Sequence, residues 1–141
     1  MGVYQYPEDG PPADLTVEGS GCNLEKAVAN VILGMFNAIS PLEGISSERF
    51  FKFKVEGHDL KSLLFNLMDE FLYIHDTEKL VASKIMLDIN EEEYIATAEC
   101  WGERIEPGKH LLGIGIKAVT YHQMQINPVP EGFKIRVVFD T

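Results

Sequence analysis

The sequence predicts an α+β fold, a two-layer sandwich in which two α-helices pack on one face of a mostly antiparallel (mixed) β-sheet. The first observation is the helical spacing of apolar residues over residues 59–75, typical of a helix with one buried face. These residues are Leu60, Leu63, Leu64, Leu67, Met68, Phe71 and Leu72. The second is the apolar–polar alternation over residues 50–56, which indicates a half-buried strand. A chain of this length with both elements fits one domain over residues 1–141.

The predicted elements follow as strand, helix, strand, helix and then a run of antiparallel strands. A lead-in rich in turn residues, 1–12, precedes a short strand at residues 15–18. Asn23 can cap the first helix, which ends at Ser40 and Pro41 because the residue before a proline disfavours the α region. After the second helix, strands are predicted at residues 80–83, 85–90, 94–105, 114–126 and 133–139.

Charge and cysteine content narrow the functional classes. The formal net charge of −10 at pH 7 argues against stable direct binding of nucleic acid, since no basic patch is available to displace counterions from phosphates. Cys22 and Cys100 show neither zinc-site spacing nor a disulfide framework, and Cys100 is expected to be buried. The sequence has no signal stretch and no apolar run of membrane-spanning length, so we expect a soluble, cytoplasmic protein without membrane contact.

Dispersed carboxylates could hold a hard cation such as Ca²⁺ or Mg²⁺, which prefers oxygen ligands. The candidates are Asp14, Glu18, Asp69, Glu70, Asp88, Glu103 and Asp140. Asp14 precedes the first strand and Asp140 ends the last, and terminal strands often lie near each other in such sheets. Thr141 follows Asp140 and adds a carbonyl and a terminal carboxylate as oxygen donors. Ordinary surface acids are the alternative interpretation.

Two other patterns give weaker indications of function. The glycine-rich stretch before Lys117 lacks the spacing of a phosphate loop and indicates a bend or bulge. Thr120 and His122 share a strand face, but the sequence shows no third group that would orient the imidazole for nucleophilic catalysis.

Several segments, in this order and over essentially the whole chain, resemble the archease family. They are Ala13-Asp14, residues 23–36, residues 63–64, residues 69–73, residues 75–78, Trp101-Gly-Glu103, Lys117-Ala-Val-Thr-Tyr-His122 and Val137-Val-Phe-Asp-Thr141. The resemblance implies an accessory protein rather than an enzyme. Archeases act on the RtcB-type RNA ligase, which joins tRNA exon halves with GTP and a divalent metal. They promote the ligase-guanylate intermediate and so permit multiple turnover.

The resemblance also implies a site. Family members bind a divalent cation, calcium in known structures, at positions that correspond here to Asp14, Asp140 and Thr141. Lys117 corresponds to a lysine implicated in activation of the ligase.

Glu70 and Glu103 are further candidates for the same part of the molecule. The chain departs from the family where Pro11 and Pro12 stand in place of a His-Thr pair before the aspartate. This departure implies either weaker metal binding or a loop that the two prolines stiffen in place of that pair. Two other classes stay open: a small metal-dependent hydrolase that uses Thr120 or His122, and a general chaperone-like module that binds many clients.

Overall fold

The computed structural model describes residues 3–141 of the chain. Its strands and helices are β1 (Val3–Gln5), β2 (Leu15–Gly21), α1 (Leu24–Ile39), β3 (Arg49–Glu56), α2 (Leu60–Glu78), β4 (Leu80–Asn90), β5 (Ile95–Arg104), β6 (Ala118–Val119), β7 (Gln125–Val129) and β8 (Gly132–Asp140). A 3₁₀ turn, Leu42–Gly44, follows α1. Within residues 3–141, neither helix is long and apolar enough to cross a membrane.

Helix α1 has the boundaries that the sequence predicts. The Asn23 side chain accepts a hydrogen bond from the Lys26 N–H at 2.8 Å, which satisfies one of the free N–H groups of the first turn. At the other end, the Ser40 N–H donates to the Phe36 carbonyl at 2.9 Å and Pro41 follows. The cap and the proline therefore determine the length of this helix.

Helix α2 begins with a reciprocal capping box. Asp59 Oδ1 accepts the Ser62 N–H at 2.7 Å, and Ser62 Oγ accepts the Asp59 N–H at 3.1 Å. The helix ends at Lys79, which has a left-handed backbone with φ of 60°. The predicted core positions of this helix are buried, except for the half-buried Leu60.

The strands form two antiparallel sheets rather than the single sheet that the sequence suggested. The larger sheet has the order β1-β2-β8-β6, with β7 also paired to β8, and the smaller has the order β3-β5-β4. Helix α1 contacts β2 and β8 of the larger sheet and β4 of the smaller, and α2 contacts β3, β4, β5 and β6. The α+β class with two helices and antiparallel strands is confirmed. Because each helix contacts both sheets, its apolar face is buried without a single continuous sheet.

The long strand predicted at residues 114–126 is wrong. Residues 111–117 form a loop, and only Ala118–Val119 pairs with the end of β8 before the chain turns again. Gln123 has a positive φ of 56°, which interrupts an extended strand, and β7 then pairs with the first half of β8. Two short strands therefore lie along one edge of β8 where one strand was expected.

The core takes side chains from both helices and both sheets. Phe71 of α2 packs edge-to-face on Phe36 of α1, with ring centroids 5.8 Å apart, and on Phe53 of β3, at 4.8 Å. Phe139 of β8 is fully buried in the same cluster, as is Cys100 of β5. Burial confirms the expectation for Cys100 and raises the pKa of its thiol to about 12. This cluster fixes β8, and with it the residues that follow Phe139.

Candidate functional site

The start of β2 and the end of β8 meet at one end of the larger sheet. The two strands are antiparallel, with Leu15 opposite Phe139. Asp14 directly precedes Leu15, and Asp140 directly follows Phe139, so the pairing brings both acids to the same end of the sheet. Thr141 Oγ1 donates a hydrogen bond to the Ala13 carbonyl at 2.9 Å, which ties the two segments together.

Strand β6 adds a lysine to this end of the sheet. Ala118 lies opposite Asp140, and the Lys117 N–H donates to the Asp140 carbonyl at 2.8 Å. The side chains of Lys117 and Asp140 are exposed, whereas Asp14 and Thr141 are half-buried. We call the set of Asp14, Lys117, Asp140 and Thr141 the tip.

The segment before Asp14 forms a tight turn. The Asp14 N–H donates to the Pro11 carbonyl at 3.2 Å, and Pro11 and Pro12 each have a fixed φ near −65°. Pro11 and Pro12 thus lie in an ordered turn that leads into the tip.

The chemistry of the tip suits a hard cation. Two carboxylates, the threonine hydroxyl and neighbouring main-chain carbonyls are all oxygen donors, the type that Ca²⁺ and Mg²⁺ prefer. Over residues 3–141, no group of three or more His, Cys, Asp or Glu side chains is arranged to hold a metal ion. A cation at the tip would therefore need main-chain or threonine oxygens in addition to Asp14 and Asp140. Mixed ligand sets of this kind are ordinary for calcium.

Glu103 lies in a hydrogen-bonded cluster of its own. Its carboxylate accepts hydrogen bonds from Lys109, from the Ser46 N–H at 2.9 Å and from His110 Nε2 at 3.0 Å. These three, with Lys109 the largest, lower the pKa of Glu103 from 4.5 to about 2. The Glu106 N–H donates to His110 Nδ1 at 2.9 Å, so Nε2 carries the proton that reaches Glu103. The cluster fixes the start of the loop that leads from β5 to Lys117.

Glu70 lies on α2 and is half-exposed. In the described part of the chain, its carboxylate makes no hydrogen bond and no ion pair. Helix α2 contacts β6 next to Lys117, but the structure does not join the Glu70 side chain to the tip. Of the residues predicted for the site, Asp14, Lys117, Asp140 and Thr141 are brought together by strand pairing and the Thr141–Ala13 hydrogen bond. Glu103 is bonded to Ser46, Lys109 and His110 instead.

The pair considered for hydrolysis does not share a strand face. Thr120 follows β6 and donates its hydroxyl to the Val138 carbonyl at 2.8 Å, whereas His122 is exposed in the next turn. Because β6 ends at Val119 and His122 lies in a turn, neither residue is in a strand and the predicted period-two relation does not apply. The geometry gives no support to a threonine nucleophile activated by this histidine.

Sequence reasoning missed one feature near the tip. Leu111, Leu112 and Ile114 are exposed in the loop before Lys117, although Ile114 was assigned to a strand. The available signal was the pair of glycines, Gly113 and Gly115, among aliphatic residues with no alternating polar partner. Such a stretch fits an irregular loop better than a half-buried strand.

Comparisons with known proteins identify the family of this chain. The profile of the Archease protein family matches residues 4–141. The chain belongs to the archease family. Pyrococcus furiosus has a protein archease that is 37% identical over 122 residues, which cover 85% of this chain and 86% of that protein. An archease-like protein of Drosophila melanogaster is 36% identical over 125 residues, 87% of this chain and 79% of the relative.

Solved structures show the same fold. The solution structure of a Methanobacterium thermoautotrophicum protein matches with a TM-score of 0.82 and 29% identity, over 99% of this chain and 98% of the other. A Thermotoga maritima crystal structure, described as an archease and possible chaperone, has a TM-score of 0.64 over 97% of this chain and all of the other. At 18% identity, this second likeness shows the fold alone.

Proposed function

We propose that this chain is a metal-binding accessory protein that activates an RtcB-type tRNA-splicing RNA ligase, promoting guanylylation of the ligase and its multiple turnover. The observation that supports the proposal is the meeting of Asp14, Lys117, Asp140 and Thr141 at one sheet end in a member of the archease family. These are the residues that the family resemblance assigns to cation binding and activation.

Asp14, Asp140 and Thr141 would hold a divalent cation, with calcium as the first candidate. When bound, the cation would supply a positive charge at the tip. The exposed Asp140 carboxylate can also attract basic groups that line a phosphate-binding centre, whether or not a cation is bound. The Lys117 ammonium carries three donors and can orient an anionic oxygen of the nucleotide.

The backbone of the tip is fixed before any partner arrives. The Lys117–Asp140 and Thr141–Ala13 hydrogen bonds join three chain segments that are otherwise more than twenty residues apart or at opposite ends of the chain. A prearranged set of charges loses little conformational entropy on binding, which favours productive engagement of the ligase centre. Glu70 and Glu103 remain lower-ranked candidates for contact with the ligase.

The proposal is tested with the ligase and an excess of RNA substrate. The wild-type protein is expected to raise ligation beyond one round, and Asp14→Ala and Asp140→Ala are each expected to abolish this stimulation. Asp88→Ala is the matched control because Asp88 is an exposed acid on β4, in the other sheet. Calcium is expected to raise the melting temperature of the wild type and of Asp88→Ala, but not of the tip variants.

Two results would contradict the proposal at different levels. If the wild-type protein leaves the ligase at a single round, the proposed function is wrong. If it stimulates and both tip variants stimulate equally well, the function stands but the assignment of Asp14 and Asp140 is wrong.

A further inference from the structure

Three large aliphatic side chains are exposed within four residues of the loop between β5 and β6. Leu111 is 75% exposed, Leu112 63% and Ile114 44%. We call these three side chains the apolar knob. Exposed aliphatic residues are common singly, but a contiguous group of them marks an interaction surface.

The backbone that carries the knob is fixed to the end of α1. Gly113 N–H donates to the Ile39 carbonyl at 2.7 Å, and Ile114 N–H donates to the Ala38 carbonyl at 2.9 Å. The Leu111 carbonyl accepts a hydrogen bond from Ser40 Oγ at 2.6 Å. The carbonyls of the last helical turn lack partners within the helix, so the loop satisfies two of them. The same contacts hold the loop in one conformation.

Buried residues flank the knob on both sides. His110 is 8% exposed and bonded to Glu103, and Ile116 is 7% exposed and part of the core cluster. The buried residues on either side anchor the loop. The exposure of the knob is therefore not the result of a loosely held loop. An apolar group presented in this way binds a partner without the loss of conformational entropy that ordering a flexible loop would require.

The knob is close to the tip along the chain. Ile114 and Lys117 are three positions apart in the chain, which limits the distance between their Cα atoms to about 11 Å even in a fully extended chain. A standard interface of about 800 Å² per partner is roughly 30 Å across, so it can include both surfaces. The polar tip and the apolar knob can then contact one partner at the same time.

We propose that the apolar knob docks into an apolar depression on the same ligase whose metal- and nucleotide-binding centre the tip engages. This inference rests on the proposed function. Single-stranded nucleic acid is a poor occupant, because bases stack on aromatic rings and phosphates need cations, whereas the knob has neither. A second copy of the chain is also disfavoured, since three side chains fall far below the area of a stable dimer interface.

Charge complementarity favours the ligase over other proteins. A site that binds a nucleotide and RNA ends must carry basic residues around the phosphates, and this chain has a net charge of −10. Long-range attraction then brings the tip to that site and speeds association, while the knob supplies a contact that slows dissociation.

The test is the concentration of this protein that gives half-maximal stimulation of multiple-turnover ligation. For the variant Leu111→Ser/Leu112→Ser/Ile114→Ser, we expect this concentration to rise at least about tenfold, equivalent to about 1.4 kcal/mol. Maximal stimulation should return at saturating protein, because the tip is intact. The matched control is Tyr73→Ser/Met86→Ser, which removes side chains that are 62% and 54% exposed outside the loop and is expected to behave as wild type.

Several outcomes decide against the inference. It is overturned if the triple variant has the wild-type half-maximal concentration, or if only its maximal stimulation falls. It is also overturned if the wild type is a dimer by light scattering and the variant a monomer, since the occupant is then a second copy. If the triple variant has a lowered melting temperature, Leu111→Ser and Leu112→Ser are assayed singly by the same criterion. If the wild-type protein itself gives no stimulation, the proposed function fails, and this inference fails with it.

Discussion

Gly113 is the position where a single methyl group tests how the loop is held. A Cβ atom added there would lie 2.1 Å from the Ala38 carbonyl oxygen and 3.2 Å from the Ile39 oxygen. Both are main-chain atoms of α1 and cannot move aside cheaply. Gly113→Ala is therefore expected to lift the loop away from the helix end.

The expected cost follows from the contacts that are lost. Two hydrogen bonds, from Gly113 and Ile114 to the carbonyls at the end of α1, would break or lengthen. At about 0.5–1.5 kcal/mol each, their loss lowers the free energy of unfolding by about 1–3 kcal/mol. For a chain of this size, the melting temperature falls by roughly 4–12 °C. The rest of the fold is retained because the core lies elsewhere.

Gly115→Ala is the matched control for Gly113→Ala. It makes the same chemical change two residues along the same loop, where an added Cβ meets no atom within 4 Å. Urea unfolding followed by circular dichroism measures the free energy of unfolding of both variants. The ligation assay should also show a higher half-maximal concentration for Gly113→Ala, since the apolar knob is no longer fixed. If the two variants are equally stable, the account of the loop as a fixed cap on α1 is wrong.

Two further predictions concern stability. The lowered pKa of Glu103 contributes stability that is fully present above about pH 4.5 and lost as the pH falls towards 2. Glu103→Gln should therefore be less stable than wild type at pH 7, with the difference shrinking below pH 4.5 in acid titrations of unfolding; a constant difference would refute this account. Phe71→Ala removes a fully buried ring and is expected to cost about 3–5 kcal/mol in urea unfolding, whereas Tyr73→Ala on the exposed side of the same helix should change stability by no more than about 0.5 kcal/mol. Equal losses for the two variants would contradict the assigned faces of α2.

The sequence predicted the helices well because their signals are local. Asn23 and Asp59 cap the first turns with their own side chains, and Pro41 follows the end of α1. Apolar residues at helical spacing then identify the buried face of each helix without knowledge of its partner. Strand pairing is not local in this sense, so neither the division into two sheets nor the break after Val119 could be derived from alternation.

The candidate site likewise combines features that are visible in the sequence with features that depend on strand pairing. The chemistry of Asp14 and Asp140 was visible as residue type, but spacing alone left them among ordinary surface acids. The family resemblance singled out Asp14, Lys117, Asp140 and Thr141. The antiparallel register of β2 on β8 then brings the two acids to one end of the sheet.

The sequence by itself determined the fold class, the two helices, the Asn23 cap of the first, the acidic charge and the residue types available for a cation site. The tertiary structure alone decided that Glu103 is held by Lys109 and His110 and that the aliphatic loop is exposed. The physical reason is that caps and helical faces depend on residues a few positions apart. The tip and the apolar knob depend on hydrogen bonds between segments that meet only when the core has formed.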